Sequence, residues 1–458
     1  MTQQKIIIIK NTASETFTFE EITRLKKSDI IKIRDLPNVA NTISEYFIKH
    51  SALFSFENNK THFAYRKTDL TYDFLNLNTR IAFGLTLDDF SGGTIAAKIK
   101  RLKDKDYLLN LLRKSAGMFY AVIQFYHDKK ARYMTDYSVT EFQNKKIFNQ
   151  KHLNKKYNKE IDLEENKKNR AKAAYSNAMQ IAEFAAFNKH HWLMATITCP
   201  AVFHIKPITG KNSWNGQLTP NDNNKFINNI IKKLTTRFHA KKIKRYGHLS
   251  KEPHQSMALH AHMLIYCEGE HIESIKQWIN NYTEQEFLKY TDDFIKGTSV
   301  NFRQGRCESG TQKPVNKAIV EYINKHVYRC INSKAYNPKL AKNTPQENRN
   351  EQNNYKKIEA HADKFNYRRY SIFGVDGTLT KWKKLKQLTY NNKIPKAPSR
   401  LFNTIFTMVK NNKFKEFLHG SHHKKIKLIY KSNKQNTYNE NIRKLVGMNI
   451  NNVEFIPI

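Results

Sequence analysis

The run Leu259-His260-Ala261-His262-Met263-Leu264-Ile265 constrains this chain more than any other stretch. Side chains alternate across a β-strand, so Leu259, Ala261, Met263 and Ile265 share one face and His260 and His262 the other. The first set is a core face, so the strand belongs to a sheet covered on that side. The two imidazoles project together, a spacing that suits capture of one cation. In a chain with 18 histidines such a pair is close to what chance supplies, so its meaning depends on a third ligand. Glu252 can supply it if the preceding strand, at about 243–250, pairs with 258–266 as a hairpin. Two imidazoles and a carboxylate leave positions open for water and a substrate oxygen. His254 stands in reserve as a ligand or a phosphate contact.

The flanking sequence predicts the elements around this hairpin. Ala171, Ala174, Tyr175, Ala178, Ala182 and Ala185 recur at helical spacing, after a basic, polar stretch from Lys145 to Lys172 that reads as a linker. Trp192 to Cys199 reads as a strand closed by Pro200. Thr219-Pro220 opens a helix whose apolar stripe is Phe226, Ile227, Ile230, Ile231, Leu234 and Phe238. A helix at about 272–290, a short strand at 298–303 and a helix at about 314–331 follow. The polar segment Asn337 to Asn354 reads as a mobile loop. No internal repeat is evident, and residues 1–150 carry no chemical signature.

The partner is implied by charge. Lys and Arg number 79 against 40 Asp and Glu, a formal net charge of +39. Basic side chains placed on phosphates release condensed counterions, so an excess of this size favours a polyanion. Aromatic residues make up 12% of the chain and supply faces on which unpaired bases can stack. The four cysteines, Cys199, Cys267, Cys307 and Cys330, form no CxxC pair, which fits reduced thiols. No apolar run approaches a membrane span and none resembles a signal peptide. The expectation is a soluble protein of the cytoplasm that binds nucleic acid and no membrane.

Tyr322-Ile323-Asn324-Lys325-His326-Val327-Tyr328-Arg329 is the second chemical candidate. At about 100° per residue, Ile319, Ile323, Val327, Cys330 and Ile331 form a buried arc. Tyr322, Lys325, His326 and Arg329 lie together beside that arc, and Tyr328 falls about 120° from Tyr322. Tyr322 is therefore the better nucleophile. A phenol has a pKa near about 10, so it needs cationic neighbours or a metal to lose its proton. Lys325 and Arg329 are placed to help and to offset charge at phosphorus.

These motifs, taken in order, resemble the bacteriophage replication gene A proteins, rolling-circle initiators of the HUH endonuclease class. Ala195-Thr196-Ile197-Thr198-Cys199-Pro200-Ala201-Val202-Phe203-His204 looks like the family's early strand. Trp214-Asn215-Gly216 followed by Thr219-Pro220 is similar to its W-D-G-x-T-P helix start. Tyr246-Gly247, Glu252-Pro253-His254 and His260-x-His262-x-Leu264 match its hairpin. Tyr322-Ile323-x-Lys325 resembles its tyrosine helix, and Arg368 to Leu385, with Phe373-Gly374 and Trp382, looks like the segment that follows. The resemblance covers about residues 175–390.

The resemblance implies an α+β fold built on a five-stranded antiparallel HUH-type sheet with flanking helices. The histidines would lie on a central strand, with the tyrosine helix across their open side. An HUH endonuclease domain at 170–395 would sit between an N-terminal α/β region of unknown fold (1–150) and a basic C-terminal segment (396–458). Implied in turn are Mg²⁺ or Mn²⁺ on Glu252, His260 and His262, a site-specific nick by Tyr322, a 5′-phosphotyrosyl intermediate and a free 3′-OH. Host helicase and polymerase would be further partners, in a bacterial cytoplasm. Two departures stand out. His326 occupies the position where the family commonly has a second tyrosine, and is left as a candidate acid or base. The hairpin turn Gln255-Ser256-Met257 lacks the family's glycine. A relaxase or transposase of a mobile element, or a non-catalytic nucleic-acid-binding protein, are the alternative readings.

Overall fold

The structure is a computed structural model. It describes residues 6–10, 13–17, 100–101, 104–158, 160–208, 210–214, 216, 218–291, 299–307, 345–375, 377–390, 400–420, 425–436, 441–450 and 454–457. The chain divides into two compact units. The first comprises residues 1–129, 215–219 and 430–444, and the second 130–214, 220–429 and 445–458. Within the first, strands β1 (Ile6–Lys10) and β2 (Ala13–Phe17) form an antiparallel hairpin, and helix α1 spans Lys105–His127.

The second unit carries the expected sheet. Its strands are β3 (His191–Thr198), β4 (Tyr246–Pro253), β5 (Leu259–Cys267), β6 (Val300–Arg306) and β7 (Tyr370–Phe373). They lie in the order β6-β3-β5-β4-β7, every pair antiparallel, with β5 in the middle. Helices α2 (Asp136–Tyr157), α3 (Leu163–Phe187), α4 (Pro220–Ala240), α5 (Ile272–Phe287), α6 (Pro345–Lys364) and α7 (Thr378–Tyr390) flank it. Helices α8 (Arg400–Lys410) and α9 (Phe414–His419) follow. Strands β8 (Ile426–Gln435), β9 (Asn441–Ile450) and β10 (Glu454–Pro457), of which residues 430–444 are assigned to the first unit, form a separate sheet in the order β10-β9-β8, with β9 and β10 antiparallel.

The two faces of the main sheet are covered differently. Trp192, Met194, Tyr246, Leu264 and Tyr266 share a buried cluster with Ala178, Ile181, Ala182 and Ala185 of α3, Trp382 and Leu385 of α7, and Phe402, Ile405 and Phe406 of α8. The alanine stripe lets α3 approach the strands closely. On the other face, Leu259, Ala261, Met263, Ile265 and Cys267 are all buried. There Lys251, itself buried, donates hydrogen bonds to Asn224 Oδ1 (2.6 Å) and Asn228 Oδ1 (2.5 Å) of α4. Burial pushes the Lys251 ammonium down to about 8.

Three expectations need correction. The stretch taken as a linker from Lys145 is mostly helical. Thr135 and Asp162 cap α2 and α3 by accepting from the backbone N–H groups of Ser138 and Glu165, the usual role of such side chains at a helix start. Periodicity missed α2 because it buries little apolar surface. It is tied to α6 by the pairs Lys145–Asp363 (2.7 Å), Glu141–Lys364 (2.7 Å) and Asp136–Lys357 (2.8 Å). The second correction falls on the polar run to Asn354, which is helical from Pro345. Residues 346–354 are all polar, so its opening turns lack an apolar signal. Third, β4 runs from Tyr246 to Pro253 rather than 243–250, because Lys251 and Glu252 are buried on opposite faces. The helix expected at 314–331 lies outside the described residues.

Candidate metal centre

The hairpin β4–β5 sets Ser250 opposite His262 and Glu252 opposite His260. Directly opposed residues share a face, so the carboxylate and both imidazoles meet on one side of the sheet. On the other flank β3 places Thr198 against His260 and Thr196 against His262. His260 Nε2 stands 3.7 Å and His262 Nε2 3.9 Å from Glu252 Oε2, and one donor atom from each of the three residues lies within 4.8 Å of the others. Donors held about 2.1 Å from a common cation stand about 3–4 Å apart. The trio fits a divalent ion with only small side-chain movement.

His262 Nδ1 and Thr196 Oγ1 are 3.0 Å apart. For Nε2 to be a ligand, Nδ1 must carry the ring proton, and Thr196 is placed to accept it. Such an outer partner fixes both the tautomer and the ring plane. His262 and Glu252 are only 4% and 5% exposed, so the site's fixed part is shielded from bulk water. The donor set suits a transition ion such as Mn²⁺ and also admits Mg²⁺.

The trio lies at a cavity of about 860 Å³, whose wall includes Tyr133, His204, Ile208, Lys211, His254 and Ile358. The turn beside it is held from three sides. The Tyr133 backbone N–H donates to Gln255 O (3.1 Å), His204 Nδ1 pairs with Ser256 Oγ (2.8 Å), and His361 Nε2 donates to Met257 O (3.1 Å). Met257, in this glycine-free turn, has a φ of 69°. Its buried side chain and bonded carbonyl offset the strain that a side chain meets in this backbone region. The His254 ring is tilted against that of His260, centroids 4.3 Å apart, and is not one of the converging trio. Burial lowers the His254 imidazole from its ordinary value. It also brings His204 down to about 4, with repulsion from His254 adding to the effect. Both rings are thereby kept neutral at physiological pH.

The sequence named Glu252, His260 and His262, and the structure brings these three together. Tyr322, Lys325, His326 and Arg329 lie outside the described residues. Thr196 was visible only as part of a Thr-x-Thr strand, whose alternation fixes a face but not its register against the histidines. His361 and Tyr133 left none, because both act through backbone groups of a distant turn. Cys199 and Cys267 form no disulfide, in line with the reduced thiols expected, and both are buried, as is Cys307. Among the described residues, no helix is long and apolar enough to cross a membrane.

Residues 88–334, more than half of the chain and containing the whole metal trio, match the family described as bacteriophage replication gene A protein. The chain belongs to that family. Among its relatives, the replication gene A protein of Escherichia phage 186 is 25% identical over 142 residues, 31% of this chain and 20% of that protein. The probable replication protein of Pseudoalteromonas phage PM2 is 22% identical over 260 residues, 55% of this chain and 38% of that protein. The matched stretches thus span well under half the length of these relatives. No solved structure matches.

Proposed function

We propose that this replication gene A family protein is a single-strand DNA endonuclease of HUH type that starts replication by nicking. The observation that carries the reading is the convergence of Glu252, His260 and His262 on one sheet face beside an open, partly basic cavity. The matched span extends beyond the trio to include Tyr322. The chemistry that Mg²⁺ or Mn²⁺ supplies at such a set is Lewis-acid polarisation of a phosphate oxygen. The fixed tautomer of His262, set by Thr196, keeps a lone pair directed at the ion position.

In this reading the Tyr322 oxygen attacks the scissile phosphorus, and the bond from phosphorus to the 3′-oxygen breaks. The phenolic proton is lost, the 3′-oxygen takes up a proton, and the 5′ end remains on Tyr322 as a phosphodiester. Lys325 and Arg329 favour the phenolate and offset the charge that builds at phosphorus. The free 3′-OH is a primer that a host polymerase, with a helicase to open the duplex, extends. With His326 in place of a second tyrosine, one nucleophile serves the nick, and His326 becomes the candidate for proton transfer in rejoining.

The test is incubation of the full chain with labelled single-stranded DNA and Mn²⁺, Mg²⁺ or EDTA, followed by a denaturing gel. We expect a metal-dependent covalent adduct that Tyr322→Phe abolishes while DNA binding persists. A Tyr322→Phe protein that still nicks would sink the assignment. Salt-sensitive binding with no cleavage in any metal would replace it with the non-catalytic reading.

A further inference from the structure

We infer that the outer face of α2 is a stacking surface for single-stranded DNA, separate from the metal centre. Phe148 is 69% and Ile147 56% exposed, on a helix where an aromatic ring is expected to turn inward. At about 100° per residue, Ile147, Phe148, Lys151, His152 and Lys155 fall on one exposed arc, away from the partly buried Phe142, Lys146 and Leu153, with Glu141, paired to Lys364 of α6, on the same arc a turn or more before Phe148. The rings of Phe148 and His152 lie nearly parallel, 15° between planes with centroids 6.4 Å apart. They therefore present two flat faces along one line.

Charge selects the occupant. From Phe142 to Tyr157 the helix has five lysines and no carboxylate. Lys145 and Lys146 are spent on Asp363, Glu164 and Glu359 of neighbouring helices. Lys151, Lys155 and Lys156 form no ion pair among the described residues, so this face presents positive charge beside exposed rings. Lys155 and Lys156 also counter the helix C-terminal dipole, which accounts for neither Lys151 nor the exposed rings. A flat hydrophobic ring flanked by lysines matches an unpaired base and its phosphates, since a duplex keeps its base faces inside the stack. An acidic protein partner would satisfy the lysines and leave the parallel rings without a purpose.

The helix is also well mounted. Its capping residue Thr135 follows Tyr133, which lines the cavity, and Asp136, Glu141 and Lys145 are ion-paired to α6, which contributes Ile358 to the same wall. Phe148 lies about 18 Å along the helix from its first residue. A strand held there is outside the metal trio yet within the same unit. The inference rests on the nicking reading only for the use of the strand; binding itself is independent of cleavage.

The experiment is fluorescence anisotropy of the full chain with labelled oligothymidylate in EDTA, so that no cleavage enters. Phe148→Ala is expected to weaken binding about fivefold or more, as removal of one stacked base does, while Phe148→Tyr binds like the parent. Lys151→Ala with Lys155→Ala should flatten the slope of log affinity against log salt by about 1.4, or about 0.7 per lost phosphate contact. Parent-like binding by both the alanine variants overturns the inference. So does equal weakening towards duplex DNA, which would make α2 a general polyanion surface. A failed nicking assay with these binding results intact would count against Tyr322 and leave α2 standing.

Discussion

In the proposed site Thr196 would touch no ion and yet set how His262 binds one. In the tautomer that frees Nε2 for an ion, its hydroxyl accepts from the ring N–H at Nδ1, 3.0 Å away. Replacing it with valine conserves shape and removes only that acceptor. Outer partners of metal-bound histidines typically contribute about 10–100-fold in affinity or activity. Thr196→Val should therefore weaken Mn²⁺ binding by about that range, measured by titration calorimetry, with the melting temperature of the metal-free protein little changed. Unaltered Mn²⁺ affinity would remove Thr196 from the site. His262→Ala should abolish binding in the same assay. The trio itself was legible because its three members sit on a single hairpin whose alternation can be read directly. Thr196 was not, since its contact depends on the β3–β5 register, which no local pattern specifies.

The hairpin is also where backbone constraint is concentrated. At Gly247 an added Cβ would run into the carbonyl of Leu264 on the neighbouring strand, with the Phe373 ring next in line. Neither backbone can yield without disturbing the pairing of β4 with β5. Gly247→Ala should thus cost about 1–3 kcal/mol, the range for overpacking a filled site, seen as a lower denaturant midpoint. A midpoint equal to the parent's would show that the strands can slide apart there. The Tyr246-Gly247 pair was legible as a motif, while the reason for the glycine is visible only in the close approach of two strands. Strongly amphipathic elements such as α4 were read within a residue or two. The helices α2 and α6 were not, because ion pairs between them replace the apolar stripe that sequence reading depends on. Chemistry carried by 314–331 was read from sequence alone.

Across the molecule, buried histidines tie stability to acidity. His248, bonded to Tyr370 Oη at 2.8 Å, and His361, between Tyr367 and Met257 O, are fully buried. Burial brings each imidazole down to about 3; near His361 the Arg369 charge adds to that, and the bond to Met257 O opposes it. In the unfolded chain both return to about 6.5. Between these values the unfolded state binds protons that the fold excludes, so stability is complete above about 6.5 and falls as pH drops. Melting temperature in metal-free buffer should decline from about pH 6.5 to about pH 4, and His361→Gln should make that decline shallower. A flat profile in the parent would contradict the burial of these rings. The hairpin has a consequence in time as well. Glu252 and His262 are ten positions apart, and Tyr322 follows His262 by sixty. Loops that short close in about 10–100 ns and hairpins form in about 1–10 μs, well before distant strands such as β3 can pair. If the proposed function holds, a nascent chain would carry its candidate ion-binding hairpin soon after residue 267 clears the ribosome, while Tyr322 has yet to be translated. On that reading each newly made molecule would pass through an interval in which the proposed ion site exists and the proposed nucleophile does not.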